Sequence, residues 1–357
     1  IARAGRYLRR RELLRIAMGQ VLRTIDPVSS RAAISSAADI AVEAALRAAV
    51  PAACEKLGME RPLSSYAVIA LGRMGGREMG YASDADVVFV HEPFDDAAPA
   101  EAAKLANEVA SQVTRLLGDL DSEPPLVVDS DLRPEGRRGS LARSIDSYAE
   151  YLRRWAHIWE LQALLRARPC AGDIATGKRF IEMIDAFRYP EGGLDQEHIR
   201  QVRTMKARVE TERIPSGVSA NRHVKLGRGG LADVEWTAQL LQLRHAWNHP
   251  ELRTVSTLEA LRGAAKAGLI SADEERRLTR SWELASTLRD INVLASGRTS
   301  GGRIDVLSHE VRDLAAVAAL MGRDAAAKHD IEEEYMRSAR RARADVEKIF
   351  FGMEPRN

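Results

Sequence analysis

The chain has 357 residues, 29% of them charged, and a formal net charge of only +2. Its basic residues are interspersed with acidic ones, which argues against a dedicated nucleic-acid surface, where basic residues concentrate in a stripe. Two cysteines, Cys54 and Cys170, are too few for a disulfide framework and indicate cytoplasmic thiols. No apolar run is long enough to span a membrane, and no signal peptide is visible. The length suggests two domains, and because the first residue is Ile1 rather than Met, we expect a piece of a longer protein.

Two helices are predicted within residues 1–60. The first covers 3–25, is basic and amphipathic, and ends before Pro27, which cannot continue a helix. The second covers 31–57, is rich in Ala and ends near Gly58. These two helices lead into the rest of the chain.

A strand-rich segment is predicted over residues 61–143. Apolar runs at 66–71 and 87–90 are typical of buried strands. A helix at 100–117 and a third strand at 126–132 follow, and a basic turn over 133–139 leaves that strand.

Residues 144–357 are predicted to be helical throughout. The first helix, 146–168, carries a stripe of aromatic and polar side chains at steps of three and four, and Pro169 with Gly172 ends it. We interpret Trp155 and Trp159 in that stripe as core between domains rather than as a platform on which a ligand ring stacks. The other helices are predicted at 174–187, 195–213, 231–246, 256–267, 272–295, 305–320 and 325–350.

The stretch 71–90 carries the strongest chemical signal in the chain. Gly72, Gly75 and Gly76 follow the first predicted strand and form a turn. Backbone N–H groups in such a turn can approach a ligand without interference from a Cβ atom. We therefore predict that Gly75 and Gly76 cradle phosphate.

Two carboxylates, Asp84 and Asp86, open the second predicted strand. On a strand, residues i and i+2 point to the same face, so these carboxylates lie side by side and repel each other. A hard divalent cation relieves that repulsion, and Mg²⁺ usually binds one or two carboxylates plus substrate phosphates. We predict both as catalytic metal ligands. Ser83 can donate a hydrogen bond to phosphate, and Arg133, beside the third strand, can reach phosphate charge.

Four long segments, in this order, resemble the glutamine synthetase adenylyltransferase family, and in particular its C-terminal, adenylylating half. The similarity extends over essentially the whole chain, from the basic first helix to the last residues. The segments are LGRMGGREMGYASDADVVFV, VVDSDLRPEGRRGSL, RWAHIWELQALLRARPCAGD and KLGRGGLADVEWTAQLLQLRHA.

The resemblance implies an α+β protein. It consists of lead-in helices at 1–60, a nucleotidyltransferase (polymerase-β-like) domain with a small mixed sheet at 61–143, and an all-α helical bundle at 144–357. Asp129 matches the family's third carboxylate, which shares a metal and helps to deprotonate the acceptor. Arg166 and Arg168 lie in a matched segment and are expected to bind the nucleotide, with a pairing of an Arg to Glu160 as the structural alternative.

The activity that the resemblance implies is Mg²⁺-dependent transfer of AMP from ATP to a tyrosine hydroxyl of glutamine synthetase, with release of pyrophosphate. This modification would inactivate glutamine synthetase in nitrogen regulation. The implied partners are glutamine synthetase, a PII-type nitrogen-signal protein and the other half of the same longer chain. Nucleic acid and membrane are not among them.

Three alternatives remain open from the sequence. The chain can be the adenylyl-removing, phosphorolytic half; a nucleotidyltransferase acting on another protein or on RNA ends; or a non-catalytic module that only docks glutamine synthetase or a nitrogen-signal protein. Intact Asp84, Asp86 and Asp129 argue against the last. The regulator, the oligomeric state, Mg²⁺ versus Mn²⁺, the docking surface, and the roles of Asp131 and of residues 225–235 are not determined by the sequence.

Overall fold

The structure, a computed structural model, describes residues 1–118, 124–214, 217–298, 301–324 and 328–353. Among these residues, none of the helices has the length and apolar character needed to cross a membrane. The chain divides into two compact units, each made of three segments. Unit 1 comprises Ile1–Ile16, Arg31–Met79 and Ser83–Arg188, and unit 2 comprises Ala17–Ser30, Gly80–Ala82 and Tyr189–Asn357. The domain boundaries predicted after residues 60 and 143 stay a prediction.

Unit 1 contains the sheet, and two long helices precede it. The last residues of α1 and the first of α2 belong to unit 2. The elements are α1 (Ala2–Val21), α2 (Pro27–Leu57), β1 (Ser64–Ala70), α3 (Gly72–Gly75), β2 (Ala85–Pro93), α4 (Pro99–Leu117), β3 (Val128–Asp129), β4 (Ala142–Ser144), α5 (Ile145–Trp155), α6 (Ile158–Leu164), β5 (Arg168–Gly172) and α7 (Ile174–Arg188).

The sheet is small and mixed, with the strand order β3-β2-β1-β5. The strand β1 runs antiparallel to both β2 and β5. Two short strands share the outer edge of β2 and run parallel to it. The first, β3, pairs with Ala85 and Asp86 at the start of β2, and β4 pairs with residues 89–91 further along. This topology places the start of β2 and the end of β3 side by side.

One face of the sheet packs against α5, α6 and α7. Because side chains alternate along a strand, the odd-numbered residues of β1 and the even-numbered residues of β2 point toward these helices. The aromatic centre of this core is an edge-to-face contact between Tyr148 and Phe180, with ring centroids 5.0 Å apart. Phe180 is fully buried, so truncation to Ala is expected to cost about 3–5 kcal/mol. The opposite face of β1 and β2 is contacted by α4.

Unit 2 is built from helices around α11, which contacts α9, α10, α12 and α13. Trp282 of α11 is buried at the centre of these helices, with 1% of its surface exposed. The helices are α8 (Gln196–Glu212), α9 (Leu231–His245), α10 (Thr257–Lys266), α11 (Ala272–Ser296), α12 (Val311–Leu320) and α13 (Lys328–Ile349).

The structure confirms an α+β protein with a small mixed sheet, but it corrects the secondary structure in several places. The helix predicted at 146–168 is two helices, α5 and α6, followed by the strand β5, so the region after residue 144 is not purely helical. The third strand, predicted at 126–132, covers only Val128–Asp129. The helix α12 begins at Val311 rather than at 305, and the predicted start of the last helix, 325–327, lies outside the described residues.

Candidate active site

The candidate site begins at the end of β1, where the chain enters the short helix α3. The amide of Leu71 donates to the carbonyl of Asp86 at 2.8 Å, which continues the pairing of the two strands up to the turn. Gly72 follows with φ +49°, in the left-handed region that favours glycine. A Cβ atom on Gly72 would lie 2.1 Å from Oδ2 of Asp86. Glycine is therefore required at this position because the Asp86 carboxylate lies directly against its Cα.

The structure brings two of the three predicted carboxylates together. Asp86 and Asp129 are partners in the parallel pairing of β2 and β3, so their side chains leave the same face of the sheet on adjacent strands. Adjacent strands are spaced about 4.8 Å apart. Asp84 is exposed and precedes β2 by one residue. Oδ1 of Asp129 accepts a hydrogen bond from the amide of Asp131 at 2.8 Å, which fixes the orientation of the carboxylate.

The chemistry of this donor set fits a hard divalent cation. Carboxylate oxygens are the ligands that Mg²⁺ prefers, and Mg²⁺ normally needs only one or two of them because substrate phosphates complete its shell. Within the described residues no group of three or more His, Cys, Asp or Glu side chains is arranged as a metal site. Asp86 and Asp129, on paired strands, provide two carboxylates. The role of Asp84 as a metal ligand stays a prediction.

Gly75 is the last residue of the short helix α3, and Gly76 is its C-cap. Their amides donate to the carbonyls of Leu71 and Gly72 at 2.6 and 3.1 Å, so both N–H groups are already bonded within the turn. A Cβ atom on Gly75 would lie 2.0 Å from the carbonyl oxygen of Arg166. Close packing against this carbonyl therefore explains why the residue is glycine. The first residues of a helix, here from Gly72 onward, are those whose amides have no acceptor within the helix. The predicted phosphate contact of Gly75 and Gly76 stays a prediction.

Arg168 braces the carbonyl end of α3. Its two terminal nitrogens donate to both carboxylate oxygens of Asp39, each at 2.9 Å. The same guanidinium donates to the carbonyls of Met74 and Gly75 at 3.1 and 3.3 Å. Burial raises the pKa of Asp39, and the hydrogen bond and charge of Arg168 oppose that shift. Arg168 thus links α2, β5 and the turn, and a direct contact with nucleotide stays a prediction.

Arg166 holds the same turn from a buried position. Its Nη1 lies 3.0 Å from Oε2 of Glu78, and the two side chains are only 5% and 7% exposed. Nη1 also lies 3.5 Å from the carbonyl oxygen of Gly72. The structural alternative considered from the sequence, a pairing with Glu160, is not what the structure shows for either arginine. Glu160 instead accepts from the hydroxyl of Tyr151 at 2.9 Å.

Arg133 organises the loop that follows β3. Its guanidinium donates to the carbonyls of Gly139 and Ser130 at 3.1 and 2.9 Å, and the side chain is buried. Asp131 accepts from Nε of Arg137 at 2.7 Å, and this hydrogen bond raises the pKa of Arg137. Asp131 is therefore paired with an arginine beside the site. The predicted contacts of Arg133 and of Ser83, which is half-buried before Asp84, with phosphate remain untested predictions.

The interpretation of the Trp155/Trp159 stripe as buried packing is wrong for Trp155. Its side chain is 68% exposed, because α5 ends at this residue and the stripe does not continue along one helix. A new helix, α6, starts at Ile158 with a capping box between His157 and Glu160. Trp159 is half-buried in its first turn.

Two residues of the site region were missed by sequence reasoning, namely Asp39 and Glu78. Glu78 lies within the stretch 71–90, and its acidic side chain beside a glycine turn was an available signal for a buried partner of a cation. Asp39 is more than a hundred residues away from Arg168 in the chain, on an Ala-rich helix, and only the fold brings them together.

In unit 2, the segment 225–235 leads into α9 and includes its first residues. It contains part of a buried ionic network. Asp233 is fully buried and accepts from the amide of Gly229 at 2.7 Å, from Nζ of Lys206 at 2.5 Å and from Nη1 of Arg343 at 2.9 Å. Gly229 has φ +73°, and a Cβ there would lie 1.8 Å from the carbonyl oxygen of Ala339. These contacts join α8, α9 and α13, so Asp233 has a clear structural role.

Comparison with known proteins identifies the family. The model of the glutamate-ammonia ligase adenylyltransferase family matches residues 1–183, just over half of the chain. A second model, described as GlnD PII-uridylyltransferase, matches residues 197–353. The chain belongs to the glutamate-ammonia ligase adenylyltransferase family.

Several curated relatives are similar over nearly the whole chain. One from Streptomyces coelicolor is 45% identical over 98% of this chain and 35% of its own length. One from Nocardia farcinica is 45% identical over 97% of this chain and 34% of its own length. A third, from Streptomyces avermitilis, is 48% identical over 80% of this chain and 28% of its own length. Each is named a bifunctional glutamine synthetase adenylyltransferase/adenylyl-removing enzyme. The chain therefore spans about a third of the length of these relatives.

Proposed function

We propose that this chain transfers AMP from ATP to a tyrosine hydroxyl of glutamine synthetase and so takes part in regulation by adenylylation. The observation that carries the proposal is the placement of Asp86 and Asp129 on adjacent parallel strands, directly beside the turn at Gly72. The family and the names of the relatives support the choice of nucleotide and acceptor.

The residues of the chain perform three tasks in this reaction. Asp86 and Asp129, with Asp84 at the exposed edge, would hold Mg²⁺, which when bound neutralises triphosphate charge and orients it for attack. The first residues of α3, from Gly72 onward, have backbone amides without an acceptor in the helix and lie next to these carboxylates. Arg166 contacts the carbonyl of Gly72, and Arg168 holds the carbonyls of Met74 and Gly75 at the other end. Asp129 also accepts the proton of the acceptor tyrosine, whose ordinary pKa is near 10.

In the forward reaction, the tyrosine oxygen forms a bond to the α-phosphorus, the bond between that phosphorus and the bridging oxygen breaks, and pyrophosphate leaves. In an adenylyl-removing reaction, the activity named for the relatives, inorganic phosphate would attack the phosphorus of tyrosyl-AMP, the bond between that phosphorus and the tyrosine oxygen would break, and ADP and the free tyrosine would be formed. We favour the attaching direction because the segment DVEWTAQLLQLRHA, at 233–246, and the end of the chain resemble the adenylylating half.

The test is incubation of the chain with labelled ATP, Mg²⁺ and glutamine synthetase, followed by mass spectrometry of the synthetase. We expect a tyrosyl-AMP adduct, and we expect Asp86→Asn to lower turnover roughly 10³-fold, equivalent to about 4 kcal/mol of barrier. Asp95→Asn, an exposed acid in the loop after β2, is the matched control and should keep full activity. Phosphate-dependent release of ADP from adenylylated synthetase, without any forward transfer, would reverse the assigned direction. Equal turnover of Asp86→Asn and the wild type would remove the carboxylate pair from the mechanism.

A further inference from the structure

An exposed surface containing three arginines and one tryptophan lies next to the candidate site. We call it the arginine–tryptophan surface, and its members come from the turn after β3 and from the end of α5. Trp155 is 68% exposed, and the side chains of Arg137 and Arg154 are 85% and 66% exposed. The surface consists of Arg137, Arg138, Arg154 and Trp155.

The two parts of this surface are joined by direct contacts. The hydroxyl of Tyr151 lies 3.5 Å from the amide of Glu135, the residue just before the turn that carries Arg137. The guanidinium of Arg143 is paired with Glu135 and lies over the Tyr151 ring at 5.5 Å. Arg154 and Trp155 follow Tyr151 by three and four residues and so lie on the same face of α5, about one turn further on. The turn and the end of α5 therefore form one continuous surface.

The arginine–tryptophan surface borders the predicted catalytic carboxylates. Arg137 donates to Asp131, and the amide of Asp131 donates to Asp129. These two hydrogen bonds connect Arg137, whose side chain is 85% exposed, to a carboxylate that the proposed function assigns to the reaction. A partner bound on this surface would hold one of its own side chains close to Asp129.

The charge of the surface specifies the chemistry of that partner. Arg137 and Arg154 form exposed pairs with Asp131 and Glu150, which contribute little energy because water screens them. In the described part of the chain, no carboxylate is paired with the guanidinium group of Arg138. Carboxylates of a bound partner would supply charge-assisted hydrogen bonds to Arg138 and would replace the weak pairs of Arg137 and Arg154.

The exposed tryptophan favours a protein partner over a nucleic acid. Tryptophan and arginine are the residues most enriched among those that dominate protein–protein binding energy. Binding of single-stranded nucleic acid instead uses several aromatic side chains, on which successive bases stack, and this surface has one. The composition therefore fits a folded protein that presents an acidic segment.

We propose that the arginine–tryptophan surface docks an acidic segment of the protein acceptor and thereby positions the acceptor tyrosine at Asp129. This inference rests on the proposed function, because it assumes that the acceptor is a protein. It adds to that function the surface through which the chain selects a folded acceptor.

The test compares two variants, Arg138→Glu/Arg154→Glu and Trp155→Ala, in adenylyl transfer to glutamine synthetase. We expect the KM for the acceptor to rise about 10- to 100-fold, as for removal of a dominant interface residue, with the KM for ATP and kcat unchanged. The matched control is Arg3→Glu/Arg10→Glu, which reverses two exposed arginines of α1 and should leave all three constants unchanged. Raised salt should increase the acceptor KM of the wild type but not that of the charge-reversed variant.

Other outcomes would overturn the proposal. An unchanged acceptor KM in both variants excludes the surface from docking, and a raised KM for ATP assigns it to the nucleotide. Loss of binding to a labelled RNA, with the acceptor KM unchanged, identifies a nucleic-acid surface instead. Direct binding of glutamine synthetase, measured without ATP, separates this inference from the proposed function. If the wild type binds and the variants do not, docking is upheld even where no AMP is transferred.

Discussion

Removal of Arg168 should destabilise unit 1 and displace the turn that borders the candidate site. Arg168 forms a two-pronged ion pair with Asp39, in which the side chains are 14% and 16% exposed, and it bonds two carbonyls of α3. An exposed pair contributes at most about 1 kcal/mol, whereas breaking a buried pair by removing one partner costs about 3–5 kcal/mol. Since this pair is mostly buried, we expect Arg168→Met to cost about 3 kcal/mol. Asp39→Asn should cost about 1 kcal/mol, because Arg168 keeps its bonds to the carbonyls of Met74 and Gly75.

The assay is hydrogen exchange of the β1 and β5 amides, which reports the opening free energy of unit 1 separately from that of unit 2. The KM for ATP should rise in Arg168→Met, and Arg168→Lys should restore it only partly because lysine lacks the planar fork. The matched control is Arg47→Met, which removes an exposed pair with Glu43 and should change the opening free energy by less than about 1 kcal/mol. Protection in Arg168→Met equal to that of the control would refute the view that this arginine braces the turn.

Two further predictions follow from single positions in unit 1. Gly72→Ala should lower kcat at least about 10-fold, because its Cβ would displace the Asp86 carboxylate; Gly268→Ala, which has φ +72° and open space, controls for backbone strain alone. Equal activity of these two variants would show that the close approach is unimportant. His91 is buried, and burial lowers its pKa to about 4. Because the unfolded chain then binds more protons between pH 6.5 and 4, stability should fall on acidification through this window, by at most about 3 kcal/mol. Denaturant titrations in which His91→Gln keeps the same pH dependence would contradict that assignment.

The elements that sequence patterns predicted well are those whose pattern is local. The apolar runs of β1 and β2 and the helix α4 carry their own periodicity, so each was found with small errors at its ends. The single helix predicted over 146–168 by the same reasoning was wrong, because α5 ends at Trp155 and a second helix, α6, begins at Ile158. The strand β5 that follows contains Pro169. Proline removes a ladder hydrogen bond and is tolerated only at edges, and β5 is indeed an edge strand of the sheet. Its strand character depends on pairing with β1, which no local pattern records.

The candidate site divides in the same way. Asp84 and Asp86 were predicted as metal ligands from their two-residue spacing. Asp129 was predicted from the family resemblance, and the pairing of β2 with β3 places it beside Asp86. Arg166 and Arg168 were expected to bind nucleotide from their sequence context. Their structural partners Glu78 and Asp39 become visible only when chain segments distant in sequence are packed together. Contacts between side chains so far apart depend on tertiary packing and not on residue spacing.

The segmented composition of the two units has a consequence for synthesis on the ribosome. Residues 17–30 belong to unit 2, yet most of that unit follows residue 188. At about 5–20 residues per second, the intervening chain takes on the order of 10 to 30 seconds to emerge. All five strands of the sheet lie before residue 189, so unit 1 can complete its sheet in that interval. The end of α1 and the start of α2 cannot pack against the rest of unit 2 until that part of the chain is synthesised. A ribosome that stops near residue 188 would release a chain with a finished sheet and an unpartnered helical connection, which is a ready target for proteases.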